Sequence, residues 1–302
     1  MRDAPLLHEL TPVVEQLLER HLASSKEWFP HEVVPWDRGR DFEPGHAWTA
    51  DDSDVHLPDE VRSALFVNLL TEDNLPYYFR TIEAMFGRDG AWGEWNRRWT
   101  AEEGRHSIAI RDYLTVTRAI DPIALERARM AQVQCGQVPE PGTPADGIAY
   151  VALQELATRI AHHNTGKVID DPAGYEVMKR VASDENRHHL FYRDLVTAAL
   201  EVDPSAAVQA IDRQVREFEM PGTGIVDFAS HARAIAKAGI YDFVAHHDSI
   251  LQPVVIRHWG LEDVEGLDEA GEKARASVLK YIERVGKAAR RLASRREPAL
   301  AS

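Results

Sequence analysis

Two stretches of this sequence set a glutamate three residues before a histidine in helical surroundings. They are Glu103 and His106 in WTAEEGRHSIAIRDYL, and Glu185 and His188 in RVASDENRHHLFYRDL. A spacing of three places both side chains on one face of a helix, about one turn apart. A carboxylate and an imidazole so placed can grip one metal ion. A third pair, Glu43 and His46, sits in DFEPGHAW. Pro44 and Gly45 argue against a helix there, so that pair is set aside.

The pattern comes twice. Each stretch follows a helical segment with another candidate carboxylate: Glu72 in NLLTEDNLPYYF and Glu155 in YVALQELATRIAHH. Glu72 precedes Glu103 by 31 residues, and Glu155 precedes Glu185 by 30. Four-helix bundles that hold two irons need this set, one Glu from each of two helices and Glu-x-x-His from each of the other two. Four carboxylates balance two divalent ions, which lets the site lie in a low-dielectric interior. Oxygen and imidazole ligands suit iron or manganese. Any one of these residues alone reads more simply as a surface charge or a hydrogen-bonded histidine; the duplication carries the assignment. His188 and His189 both lie within helical reach of Glu185, and the match to His106 favours His188. Thr158, one turn after Glu155, and Asp184, beside Glu185, are candidates to hydrogen-bond the ligands. Trp28 and Trp99 are candidates for an electron route, and His162 for an outer contact.

Helices must position these groups, and helical spacing dominates the chain. Leu6, Leu7, Leu10, Val13, Val14, Leu17 and Leu18 mark an amphipathic first helix rather than a signal peptide. Residues 24–58 hold four prolines and five aromatic side chains, Trp28, Phe29, Trp36, Phe42 and Trp48, and are expected to form an ordered loop packed on helices. Longer helices are expected over 59–86, with a kink near Pro76, and over 91–117, 122–135, 147–166 and 172–201. Shorter ones are expected over 204–219, 225–237, 239–259 and 268–296. Asp121-Pro122 and Asp171-Pro172 are helix starts. With no linker chemistry, the expectation is one all-α domain over 1–302: an N-terminal helix and loop (1–58), a ferritin-like four-helix bundle carrying the metal (59–201), and further helices with a basic tail (202–302).

Composition removes other classes. The chain has 302 residues, 44% apolar and 28% charged, which is ordinary for a globular protein. Its net charge of −14 argues against nucleic-acid binding. A single cysteine, Cys135, rules out a disulfide framework or a thiolate metal site. No apolar run is long enough to span a membrane. A cytoplasmic protein is expected.

The same residues carry a resemblance. WTAEEGRH, TEDNLP, LQELATRIAHHNT and DENRHH are similar to the soluble acyl-acyl-carrier-protein desaturases, and KEWFPHEVVPWDRGRDF to their actinobacterial branch. The resemblance runs from about residue 8 to about 290. It implies that Glu72, Glu103, His106, Glu155, Glu185 and His188 are ligands of two iron ions. It places Thr158 beside the oxygen site, with Asp184 and Trp28 carrying electrons inward. It further implies a homodimer that takes electrons from reduced ferredoxin and uses O₂ to insert a cis double bond into an acyl chain held on acyl carrier protein. Gly104 stands where plant members have Asn, Ser107 replaces Gly, and the segment from 72 to 103 is shorter, so double-bond position does not transfer. Carrier protein is acidic, so its dock must be basic. The candidates are Arg38 and Arg40, Arg97 and Arg98, and the tail from Lys287 to Arg296, above all Arg290 and Arg291.

Other di-iron oxidases or N-oxygenases share the ligand set. A ribonucleotide-reductase small subunit would want a tyrosine where Ile110 stands. Iron-storage bundles are much shorter chains.

Overall fold

The computed structural model describes residues 4–300 apart from 221 and 223, without the side chains of residues 4 and 295–300. Its regular elements are helices: α1 (Ala4–Ser24), the short α2 (Pro30–Val33), α3 (Asp59–Glu72), α4 (Leu75–Phe86), α5 (Gly90–Val116), α6 (Pro122–Cys135), α7 (Pro144–Val168), α8 (Pro172–Val202), α9 (Pro204–Arg216), α10 (Phe228–Lys237), the short α11 (Phe243–His246) and α12 (Glu269–Leu300). Four of them open alike. Asp121, Thr143, Asp171 and Asp203 each accept a backbone N–H from the first turn, and a proline follows each cap. The cap satisfies a donor with no partner inside the helix, and proline there gives up an N–H that would go unused.

The segment 59–86 is two helices, with the break at Asp73 and Asn74. Pro76 explains the position, because its ring would meet the carbonyl of the residue four before it, Glu72. The candidate ligand therefore ends a helix. Arg129 of α6 clamps Asp73 at the break, Nε to Oδ2 at 2.6 Å.

Helices α3, α5, α7 and α8 surround the centre, and α7 and α8 pack along their whole length. Small buried residues on α7, including Ala149, Ala152, Ala157 and Ala161, permit the close approach. At Gly166 a methyl group would stand 3.1 Å from Met178 Cβ of α8. An apolar core runs from Leu10 and Val14 of α1 through Trp95, Ile148, Phe191 and Leu195 to Val208 and Ile211 of α9 and Val278 of α12.

Two expectations change. The segment 239–259 is α11 followed by a π-helix, His247–His258, with Pro253 inside it; its wider turn tolerates the missing N–H. In the loop before α3, Trp28 is buried, but Phe29, Trp36 and Phe42 are 42–49% exposed. Phe42 instead lies under the Arg118 guanidinium, 4.1 Å from ring centre to Cζ. Trp48 donates from Nε1 to the Arg118 carbonyl.

Asp171 joins two of these devices. It caps α8 through the Gly174 N–H and receives Arg38 Nη1 at 2.8 Å. Asp171→Ala should lower stability by about 1–2 kcal/mol, read as a lower urea midpoint with unchanged helicity. An unchanged midpoint would show that neither contact contributes.

Candidate metal centre

Glu72 ends α3, Glu103 and His106 lie on α5, Glu155 on α7, and Glu185 and His188 on α8. None is more than 7% exposed. The structure brings all six together in two overlapping groups. Donor atoms of Glu72, Glu103, His106 and Glu185 lie within 4.8 Å of one another, as do those of Glu103, Glu155, Glu185 and His188. Glu103 and Glu185 belong to both, so the cage suits two adjacent cations sharing two carboxylates. His106 Nδ1 faces Glu103 at 3.2 Å, Glu185 at 3.4 Å and Glu72 at 3.5 Å. His188 Nδ1 faces Glu103 at 2.8 Å and Glu155 at 3.5 Å.

The polar atoms at the centre of this cage lack hydrogen-bond partners. Glu103 Oε1, Glu155 Oε2, His106 Nδ1 and His188 Nδ1 are buried and make no well-aligned hydrogen bond, only close contacts within the cage. Such atoms are rare and destabilising unless an ion or water satisfies them. Here they converge from three helices, α5, α7 and α8, and their chemistry fits two divalent cations. Without metal, protons carry the balance. Burial and the neighbouring Glu185 hold Glu155 well above the usual carboxylate range and raise Glu103. Burial alone would lower His106 and His188, but the carboxylates around them hold both well above the ordinary imidazole value.

A second layer fixes these groups. His106 Nε2 donates to Asp184 Oδ2 at 3.3 Å. The same oxygen receives Trp28 Nε1 at 2.9 Å and Arg105 Nη2 at 2.9 Å, and Arg187 holds the other. His188 Nε2 donates to Glu102 Oε2 at 2.9 Å. That oxygen also faces His21 Nε2 at 2.9 Å, while Arg98 holds Oε1 at 2.6 Å. Thr158 Oγ1 is 3.0 Å from Glu185 Oε2, His162 Nε2 is 3.0 Å from Glu72 Oε1, and Trp99 Nε1 donates to Glu155 Oε1 at 3.1 Å. His189 turns away to the Ala152 carbonyl, and burial pushes it down to about 4. Glu43 and His46 lie in an exposed turn, with His46 on Asp52. The sequence reading missed Glu102 and His21. Glu102 had a signal: an acidic residue precedes each motif glutamate, as Asp184 precedes Glu185. His21, on α1, carries none.

The fatty acid desaturase family model matches residues 2–301. The chain belongs to the fatty acid desaturase family. It is 42% identical over 296 residues to a Mycobacterium tuberculosis protein described as acyl-[acyl-carrier-protein] desaturase DesA1, covering 94% of this chain and 87% of that one. It is 32% identical over 248 residues to stearoyl-[acyl-carrier-protein] 9-desaturase 6 of Arabidopsis thaliana, covering 76% and 63%. The X-ray structure of the M. tuberculosis acyl-ACP desaturase DesA2 superposes with a TM-score of 0.72 at 30% identity, covering 90% of this chain and 99% of that one. The fold is ferritin-like and the protein is an oxidoreductase, a desaturase of fatty acid metabolism. No helix among the described residues is long and apolar enough to cross a membrane.

Because protons occupy the raised groups in the metal-free desaturase, cations must displace them. Cobalt(II) binding should therefore release protons and weaken as the pH falls. Calorimetry in buffers of different ionisation enthalpy measures that release; none at neutral pH would contradict the protonation described here. Glu103→Ala, which removes a carboxylate common to both groups, should lower uptake from two cobalt ions per chain to one or none by elemental analysis.

Proposed function

We propose that this desaturase inserts a cis double bond into an acyl chain carried on acyl carrier protein, using O₂ and two electrons from ferredoxin. Glu72, Glu103, His106, Glu155, Glu185 and His188 would hold two irons. Bound there, the irons supply the redox chemistry that reduces O₂ to water while two hydrogens leave adjacent methylene carbons. The protein's own work is to place one C–C bond, keep water out and manage protons.

One observation carries the substrate reading: two apolar cavities lie next to side chains that touch the cage, Trp99 on Glu155 in the first and Thr158 on Glu185 in the second. Tyr78, Ile82, Met85, Phe86, Trp99 and Gln154 line the first. Thr71, Thr158, Ala161, Met220, Phe228 and Tyr241 line the second. Gln154 of the first cavity and Thr158 of the second lie one turn apart on the same face of α7, Nε2 to Oγ1 at 3.5 Å. An extended chain running from one cavity to the other would pass beside the cage, and no charged side chain lines the first cavity to hold a head group. The Thr158 hydroxyl, within 3.0 Å of Glu185, keeps an exchangeable proton there. Trp28, joined to His106 through Asp184, is the inward path for electrons.

The carrier protein docks at the mouth of the second cavity. Tyr241 of that cavity donates to His246 Nδ1 at 2.9 Å, and the adjacent His247 packs on Gly286 of α12, one turn before Arg290. Arg290 and Arg291 are exposed at this end of α12. The other candidates are engaged elsewhere: Arg38 with Asp171, Arg40 with Asp54, Arg98 with Glu102, and Arg97 with the Arg88 carbonyl. The side chains of Arg295 and Arg296 lie outside the described residues. Ile108, Ile123 and Met130, exposed on α5 and α6, offer apolar area to the second copy of a homodimer.

Anaerobic reduction followed by O₂, with carrier protein bearing C16 or C18 chains, should yield monounsaturated acids by mass spectrometry. Saturated acids alone, from protein with a full complement of iron, would refute this function. Reversing the charge of Arg290 and Arg291 should weaken carrier-protein binding and flatten its salt dependence; unchanged binding would move the dock elsewhere. At Gly147, beside the first cavity, a methyl group would stand 2.0 Å from Met85 Sδ. Gly147→Ala should drive Met85 into the cavity and shift preference toward shorter acyl chains. An unshifted chain-length profile would place the chain terminus elsewhere.

A further inference from the structure

We infer that Glu102 and His21 are positioning residues that retain the metal at the Glu155–His188 end of the centre. The inference rests on the two-metal reading of the cage. It begins from a requirement of imidazole chemistry: His188 can offer the Nδ1 lone pair to a cation only while its proton sits on Nε2, and the group that accepts that proton fixes both tautomer and ring plane. Glu102 Oε2 is that acceptor at 2.9 Å, and its carboxylate is in turn held on both oxygens. Arg98 Nη2 holds Oε1 at 2.6 Å, and His21 Nε2 stands 2.9 Å from Oε2.

His21 belongs to α1, outside the four helices that supply ligands. It is 4% exposed, its ring stacks on His188 at 5.8 Å and 24°, and its other face is closed by the edge contact with Trp95 at 5.0 Å. Donor atoms of His21, Glu102 and His188 lie within 4.8 Å of one another. The opposite end is built from different parts, since His106 leans on Asp184, which is held by Trp28, Arg105 and Arg187. The two metals are therefore retained by separate contacts, and the N-terminal helix serves only one of them.

Metal-free full-length chain titrated with cobalt(II), followed by visible absorption, tests this without turnover. Glu102→Gln should weaken one of the two cobalt sites by about ten- to a hundredfold and leave the other unchanged. Asp184→Asn should weaken the other site alone, and the double variant both. His21→Leu should reproduce Glu102→Gln in smaller degree, and His21→Gln, which keeps a donor toward Glu102, should restore binding. Circular dichroism shows whether each variant is folded; should His21→Leu fail to fold, Glu102→Gln and His21→Gln still decide. Wild-type chain that binds fewer than two cobalt ions would sink the two-metal reading itself. Two cobalt ions bound by wild type and by folded Glu102→Gln with equal affinities would overturn this inference alone.

Discussion

Four carboxylates and two imidazoles are gathered inside a helical bundle with almost no access to water. Left ionised and unpaired, such a cluster would oppose folding by far more than a domain's net stability. The rest of the molecule is arranged around that problem. Four helices each bring part of the cluster. Where α5 and α8 do bury adjacent carboxylates, Glu102 beside Glu103 and Asp184 beside Glu185, the first of each pair is held by arginine and histidine. The donors that have no partner all point to the centre, where two divalent ions would neutralise them. Those whose outward atoms could orient wrongly are tied to a second layer of charged groups, Asp184 and Glu102, which are themselves tied to arginines.

The second layer shows an exchange between halves. Asp184 precedes Glu185 on α8 yet holds His106 of α5; Glu102 precedes Glu103 on α5 yet holds His188 of α8. Each motif therefore supplies the support for the other motif's histidine, and α5 and α8 cannot be displaced from each other without disturbing both ends. The exchange breaks the symmetry in one respect. Trp28, from the loop before α3, completes one end, and His21, from α1, completes the other. An indole can pass electrons and an imidazole buried against carboxylate cannot easily do so without its proton moving. The two ends of the centre are thus distinguished by residues from outside the repeat.

That the six candidate residues would meet was legible in the sequence because helix geometry turns spacing into position. Three residues separate the partners within each motif, and about thirty separate it from the preceding glutamate. That pattern also named Asp184, Thr158 and His162 as neighbours, and the structure sets them within 3.3 Å of the cage residues. Pro76 marked a kink in the segment bearing Glu72, and the structure makes that kink a full break. What lay beyond the sequence was long-range. His21 is 81 residues from Glu102 and reaches it only because α1 packs across α5 and α8. The π-helix around Pro253 and the exposure of Phe29, Trp36 and Phe42 likewise depend on what packs nearby, and an aromatic residue in a proline-rich loop carries no mark of whether a partner will cover it.

The cage and the cavities answer to different parts of the sequence. Ligand positions admit little change, because a shift of one residue turns a helical side chain away from the centre. The cavity walls have no such constraint: Met85, Ile82 and Tyr78 come from α4, Met220 and Phe228 from segments after α9, and any of them can change size while the donors stay fixed. Glu155 sits between the two regimes, a ligand flanked by Gln154 on one cavity and Thr158 on the other. On the proposed path, the carbon that is oxidised would be set by how far a chain can travel past α7 before Met85, Phe86 and Gly147 stop it. The chemistry would then follow from six donor groups, and the position of the double bond from apolar side chains outside the cage.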